Sequence, residues 1–432
     1  MRSLIFVTPL KPYRLDEAIK PKNDPYASLR YKEFKFFLVI RFALIFALSM
    51  QFSIIEWKVY SLTKNPLNIG LMGLAEFIPA FSLALFAGNI VDKREKQGMV
   101  MKCLMGYLVI GAGLFMLTWD DLVAGIPQSA ILMMIYVLLF CGGVLRAFVS
   151  PSNFSLLGVL VPRELYINAT TWSTSSWQTG AIAGPVLGGL CIAWLGVHWA
   201  MLVVLGFMLL ALAAVMQIGK KPVHFKDIGE TVKERLKKGL QFVWNTKVLL
   251  NAMALDMFGV LFGGSVAMIT IYAQDILHVG AEGFGMLRAA PAVGSCIILL
   301  VLAHRPIVTK PGLKLLAAVF GFGICIIIFG LSKTFALSLL ALFASGMLDG
   351  VSMIIRQTIL QLKTPDDMRG RVSSVSSVFV SSSNELGSFE SGLAARIMGP
   401  VASVVFGGCM TLGVVITTYI ISPAMRKLDW RR

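Results

Sequence analysis

Ionisable side chains set inside apolar runs are the residues of this chain best able to do chemistry. Arg41, Glu56, Glu76, Arg146, Asp256, Arg288, Asp349, Glu385 and Glu390 each interrupt a long hydrophobic stretch. An ionised group at bilayer depth costs roughly 3 kcal/mol or more, so each needs a partner or water. A carboxyl that alternates between a dry pocket and water, or an approaching Arg, binds and releases a proton. Asp256, Asp349 and Glu385 are therefore the proton-coupling candidates, with a permanent salt bridge or a hydrated rim carboxylate as the structural alternative. Arg41, Gln51, Glu56, Arg146, Trp172 and Asn384 are candidates to line a substrate cavity. Glu76, set between Gly73 and Pro79, is expected to gate or pack helices, with Arg288, Arg369 and Arg371 as further gating charges.

The elements that carry these groups must be membrane helices. Of 432 residues, 56% are hydrophobic and 14% charged, which excludes a single soluble core. Apolar runs of roughly 20 residues, each enough to span the hydrocarbon as a helix, recur from Phe36 to Ile421. About twelve are expected, and their continuity excludes an alternating barrel pattern. With the N-terminus inside, 32 of the 39 Lys and Arg fall on the cytoplasmic side. Lys58, Lys64, Lys333 and Arg396 remain outside, and Arg41, Arg146 and Arg288 within helices. That bias places both termini in the cytoplasm and accounts for the net charge of +16 without a nucleic-acid partner. The six cysteines lie inside apolar runs without paired spacing and the four histidines are scattered, so no disulfide or metal site is signalled. The opening residues are too soon broken by Pro9 and Lys11 to act as a secretory signal.

The chain repeats itself. At an offset of 203, Gly143 falls on Gly346, Gly184 on Gly387 and Gly189 on Gly392; at 212, Gly73 falls on Gly285 and Pro79 on Pro291. The expected organisation is a cytoplasmic lead-in (1–34), a six-helix bundle (35–218), an amphipathic linker (219–247), a second six-helix bundle (248–423) and a tail (424–432), with the bundles related by pseudo-symmetry. In the linker, Ile228, Val232, Leu236 and Leu240 recur at four-residue spacing among bases, as in a helix lying on an anionic leaflet. Two repeat pairs exchange sign, Arg146 with Asp349 and Glu76 with Arg288. Arg146 and Asp349 are thus expected to neutralise one another across a cavity in one conformation, or to share a substrate anion or a proton. Helix 5, from Asn168 to Thr179, and helix 11, from Ser373 to Glu385, are dense in hydroxyls that cannot all face lipid.

Ala87 to Lys96 ends one apolar run and precedes the next, so Asp92 and its neighbouring bases sit in a tight loop at a membrane face. Asp92 can act as a latch that docks on a helix N-terminus or an Arg; a solvated loop is the plainer alternative. The pattern Gly88-x-x-x-Asp92-Lys93, followed by Lys96, resembles the loop between helices 2 and 3 of the major facilitator superfamily, with Glu95 where Gly is common. Its counterpart in the second half is eroded, His304 standing opposite Asp92. Gly180, Gly184, Pro185, Gly188 and Gly189 resemble the helix 5 motif of proton-coupled antiporters in that superfamily, and Gly-mediated packing is the alternative. Gln51 to Pro79 and Pro365 to Val372 resemble its enterobactin-exporter-like branch.

The resemblance implies an all-α fold of twelve transmembrane helices, with helices 1, 4, 7 and 10 facing a central cavity. It implies a secondary transporter in a bacterial cytoplasmic (inner) membrane, working as a monomer by alternating access. The proton gradient is the expected driving force, with no cofactor or metal. A siderophore-like or amphipathic small molecule is the expected cargo; multidrug efflux and lysophospholipid movement are alternatives, and a non-transporting receptor is one of a different class. An enzyme is disfavoured, since the chain has no Gly-x-x-x-x-Gly-Lys-Ser/Thr loop and no His-Glu-x-x-His.

Overall fold

The computed structural model describes residues 24, 26–221, 232–264, 267–304, 307, 309–365 and 368–428. The basic lead-in before Asp24, the linker segment holding Ile228, the loop residue Arg305 and the last four residues lie outside the described residues. Among the described residues there are helices and no strands. The first half comprises α1 (Lys32–Thr63), α2 (Pro66–Asp92), α3 (Lys96–Thr118), α4 (Gln128–Leu160), α5 (Tyr166–Leu195) and α6 (Val197–Met216). The second comprises α7 (Lys247–Gly263), α8 (Gly280–His304), α9 (Pro311–Leu331), α10 (Phe335–Lys363), α11 (Arg369–Met398) and α12 (Pro400–Ile421).

Local sequence explains where these helices start and stop. Asn65 caps α2 by accepting from the Leu67 N–H, and Pro66 occupies the first turn, where its missing donor costs nothing. Glu95 caps α3 through the N–H groups of Gln97 and Gly98. The α5–α6 and α11–α12 turns fall on Gly196 (φ +83) and Gly399 (φ +87), a backbone region open to glycine and 203 residues apart. Among the described residues, eleven helical stretches are long and apolar enough to cross a membrane. The twelfth, α11, is 30 residues long but rich in hydroxyls, and it packs against α2, α7 and α12.

The repeat is visible in the packing. Helix α1 lies on α5 and α6, α2 on α4, and α3 on α4 and α6; each pairing recurs six helices later. A Cβ on Gly143 would strike the Glu76 carbonyl and Pro79, and one on the equivalent Gly346 would strike Pro291. Gly184 lies so close to α1 that its Cβ would stand 2.6 Å from the Phe46 carbonyl, while Gly387 faces α7 at 2.8 Å from the Leu261 carbonyl. The second-half copy of α1 is broken: Gly264 leaves the helical region, and the chain resumes through Met268–Ile271 and a π-turn at Tyr272–Ile276. Tyr272 is fully buried there and donates to the Gly330 carbonyl at 2.6 Å.

Among the described residues, the halves meet most extensively at α2 with α11 and at α5 with α8. Both are closest toward the face remote from the termini, here the distal face. Gly70 of α2 meets Phe389 and Gly392 of α11, and Gly189 of α5 touches Gly285 of α8. Small residues let the backbones approach there. Between the interfaces, mid-helix polar side chains stay open: Arg146 is 43% and Asp349 50% exposed. At the opposite, terminal face the linker helix Val232–Asn245 rests on α7 and α11. It buries Val243 and exposes Leu240 and Trp244 beside Lys237 and Lys238.

Candidate functional site

The pairing of Gly143 with α2 brings Arg146 of α4 against Glu76, and α11 supplies Glu385 from the other half. Arg146 Nη1 donates to Glu76 Oε1 and to Glu385 Oε1, each at 3.1 Å. One guanidinium nitrogen thus bridges the halves near the middle of three helices. The expected Arg146–Asp349 pair is not formed in this conformation: Arg146 is taken by carboxylates of α2 and α11, and Asp349 faces Arg356 two turns along its own helix.

Asp349 instead belongs to a cluster within the second half. Arg356 bonds Asp256 of α7, while its other terminal nitrogen lies 3.7 Å from Asp349. Its Nε donates to the Ser352 carbonyl at 3.3 Å. Asp256 is nearly buried, whereas Asp349 opens onto a cavity of about 210 Å³ between α7, α10 and α11. Asn384 is exposed on the same cavity, its Nδ2 donating to the Val380 carbonyl at 3.0 Å. The sequence places Arg356 among the cytoplasmic bases, so its part in this cluster is not legible from charge placement alone. The available signal was its spacing: residues 349 and 356 are seven apart, two turns, and so share one helix face.

Toward the distal face, α1 is tied to the Met268–Ile276 segment that follows α7 and to α8. Glu56 and Arg288 are 1% and 7% exposed and pair at 2.8 Å, with Thr270 donating to Glu56 at 2.5 Å. Arg288 also donates to Ser53 at 3.1 Å. Nearer the surface, Tyr60 donates to Asp275, and Lys64 reaches Asp275 at 2.8 Å and Gln274 at 3.0 Å. Glu56 is therefore part of a buried lock between the halves and does not line an open cavity.

The remaining expected cavity residues are dispersed. Gln51 is buried inside the first half, its Oε1 facing Gly111 of α3. Arg41 has a buried Nε without a partner. Trp172 is half-buried, its ring 6.0 Å from that of Tyr26. Gly180, Gly184 and Gly188 of α5 form one ridge seated on Phe42, Phe46 and Met50 of α1, while Gly189 turns to α8. Pro185 lies within this unbroken helix. The motif's visible work is thus close packing, at α1 and at the partner half.

At the terminal face, Gly88 and Asp92 lie in the last turns of α2 and Lys93 is its exposed cap. The Asp92 side chain, and those of Arg369 and Arg371 at the start of α11, lie outside the described residues. The loop's visible contacts run through Glu95 and Lys96. Lys96 donates to the Val91 carbonyl at 2.7 Å, and Glu95, besides capping α3, accepts from the Lys221 N–H at 3.0 Å. Burial works to raise the Glu95 carboxyl, but donation from Lys221, Gly98 and Gln97, with the charge of Lys220, holds it below its ordinary value. Glu33 of α1 completes the clasp through the Gly219 N–H at 2.9 Å and Lys221 Nζ at 2.5 Å. Among the described residues no His, Cys, Asp and Glu group is arranged to hold a metal ion.

Comparison with known proteins agrees with this architecture. The family model of the Major Facilitator Superfamily matches residues 37–388. The enterobactin exporter EntS of Shigella flexneri is 24% identical over 395 residues, 90% of this chain and 92% of that protein. EntS of Citrobacter koseri is 23% identical over 396 residues, 91% of this chain and 92% of that protein. Among solved structures, a POT family transporter in complex with 5-aminolevulinic acid superposes with a TM-score of 0.68 at 11% identity, over 91% of this chain and 96% of the other. A bacterial homologue of the human lysosomal transporter Spinster, in an inward-facing and unoccupied conformation, gives 0.64 at 14% identity over the same shares.

Proposed function

The chain belongs to the Major Facilitator Superfamily of membrane transporters, and on that premise we propose that it exports a siderophore-like or other amphipathic small molecule by proton-coupled alternating access. The observation that carries the export reading is the collinear similarity to enterobactin exporters over nine-tenths of the chain. In this reading the basic terminal face is cytoplasmic, and the present conformation receives cargo from that side. Glu56–Arg288 and Lys64–Asp275 hold the outer side closed. Arg146, bridging the halves through Glu385, registers their relative position. Asp256 and Asp349, sharing one Arg, supply the proton-binding carboxylates, and because α7 and α10 belong to one half the cluster moves as a unit.

The decisive experiment compares spent medium and cell extract by untargeted mass spectrometry. Cells would express wild type or Asp92→Asn at matched levels, under iron-poor and iron-replete growth. A metabolite enriched outside only with wild type supports export and identifies the cargo class; identical profiles in both media would overturn the export reading. In liposomes loaded with that metabolite, efflux accelerated by an inward proton gradient supports coupling, and efflux indifferent to the gradient refutes it.

A further inference from the structure

Arg146 differs from the other cleft arginine in how its nitrogens are used. In Arg356, Nη1 holds Asp256, Nη2 faces Asp349 and Nε holds a carbonyl, so the whole fork is engaged. In Arg146 both carboxylates converge on the single nitrogen Nη1. Its side chain is nevertheless 43% exposed at mid-helix, between the two halves. A guanidinium presents five N–H donors in a planar fork that matches two adjacent oxygens, and here the two carboxylates take Nη1 alone, which leaves Nε and Nη2 as an edge for such a group. Tyr107 of α3 donates its hydroxyl to the Gly142 carbonyl at 3.3 Å.

We infer that the open edge of Arg146 is the docking point for an anionic group with two adjacent oxygens on the transported molecule, and that Glu385 opposes its binding. The inference rests on the transporter reading and adds a cargo chemistry and a residue that controls it. Glu385 acts in two ways: it draws Nη1 toward the second half, and its charge repels an arriving anion. Glu76 repels too, but it lies on α2, packed against α4 in the same half, and moves with Arg146. Only the Glu385 contact therefore reports the relation of the halves, so anion docking and separation of α11 from α4 favour one another.

The test uses purified full-length protein in lipid nanodiscs, with salicylate as the anionic probe and its uncharged amide, salicylamide, as the control, read by calorimetric titration. Wild type should prefer salicylate by about tenfold, as a charge-assisted bond should over a neutral one. R146Q should lose that preference, and R146K, which keeps the charge without the fork, should lose most of it. E385Q should bind salicylate several-fold more tightly than wild type. Because R146Q leaves two carboxylates uncompensated, its fold is checked by size-exclusion profile, and E385Q supplies an independent arm of opposite sign. Equal preference in wild type and R146Q, or weaker salicylate binding in E385Q, overturns the inference. Loss of preference in R146Q without any exported metabolite in the cell comparison would instead count against the export reading and leave the anion site standing.

Discussion

The buried Glu56–Arg288 pair between α1 and α8 yields the sharpest test of the proposed movement of the halves. Glu56 accepts from Arg288 at 2.8 Å and from Thr270 at 2.5 Å, with both charged side chains almost fully buried. Glu56→Gln keeps the shape, and its amide can still accept from Arg288 while donating to the Thr270 hydroxyl. It removes the charge that makes the Arg288 bond strong, a loss of about 1–2 kcal/mol from the closed distal side. At about 1.4 kcal/mol per factor of ten, the ratio of distal-open to distal-closed molecules should rise roughly tenfold. Glu56→Ala, which strands a buried guanidinium, should cost about 3–5 kcal/mol and open that side further. Spin labels at Asp121 and Lys333, exposed on distal loops of opposite halves, read this directly in a background lacking the six native cysteines. Pulsed dipolar spectroscopy should show a longer-distance population that grows from wild type to Glu56→Gln to Glu56→Ala. Superimposable distributions in all three would refute the assignment of Glu56–Arg288 as a lock.

Three further outcomes follow from the geometry. Gly184→Val places a Cβ 2.6 Å from the Phe46 carbonyl and should lower stability by about 1–3 kcal/mol through overpacking, seen as a reduced thermal midpoint in detergent; an unchanged midpoint would contradict the α1–α5 contact. Asp256→Asn, which removes the tighter partner of a nearly buried Arg356, should destabilise the protein more than Asp349→Asn, whose carboxylate is half exposed and 3.7 Å away; the reverse order of denaturation midpoints would refute this ranking. The Glu95 clasp should depend on acid. Because the folded carboxyl is held below the ordinary value of 4.5, its stabilisation is complete above that value and is lost as pH falls through the lower folded one. Hydrogen-exchange protection at Gly98 and Lys221, corrected for intrinsic rates, should fall in that acid range for wild type and be low throughout for Glu95→Gln.

Much of the architecture could be read from residue order because apolar run length and Gly spacing are local properties. The offset of 203 that pairs Gly184 with Gly387 and Gly189 with Gly392 reappears as equivalent helix contacts, α5 on α1 and α8, α11 on α7 and α2. The helix count was legible for a similar reason, with α11 detectable by length and repeat despite its hydroxyls. The charged clusters were legible only as an inventory. Glu76, Arg146, Glu385, Asp256, Asp349, Glu56 and Arg288 all stand out as charges in apolar runs, yet nothing in their order says which acid meets which base. The Arg146–Asp349 pair was expected because repeat symmetry places them at equivalent positions, but equivalence under a pseudo-twofold axis is not contact.

By itself, then, the sequence determined a polytopic helical membrane protein with two repeated halves, since burial of apolar runs and internal backbone hydrogen bonding leave a chain in lipid few other choices. Tertiary structure alone decided the partners: Glu385 reaches Arg146 across the half-to-half boundary, Arg356 takes Asp256, and Glu56 closes on Arg288. The physical reason is range. Helix formation and membrane insertion are written in neighbouring residues, whereas an ion pair between residues 239 positions apart depends on how two packed bundles lean against each other, and that angle is set by many small backbone contacts acting together.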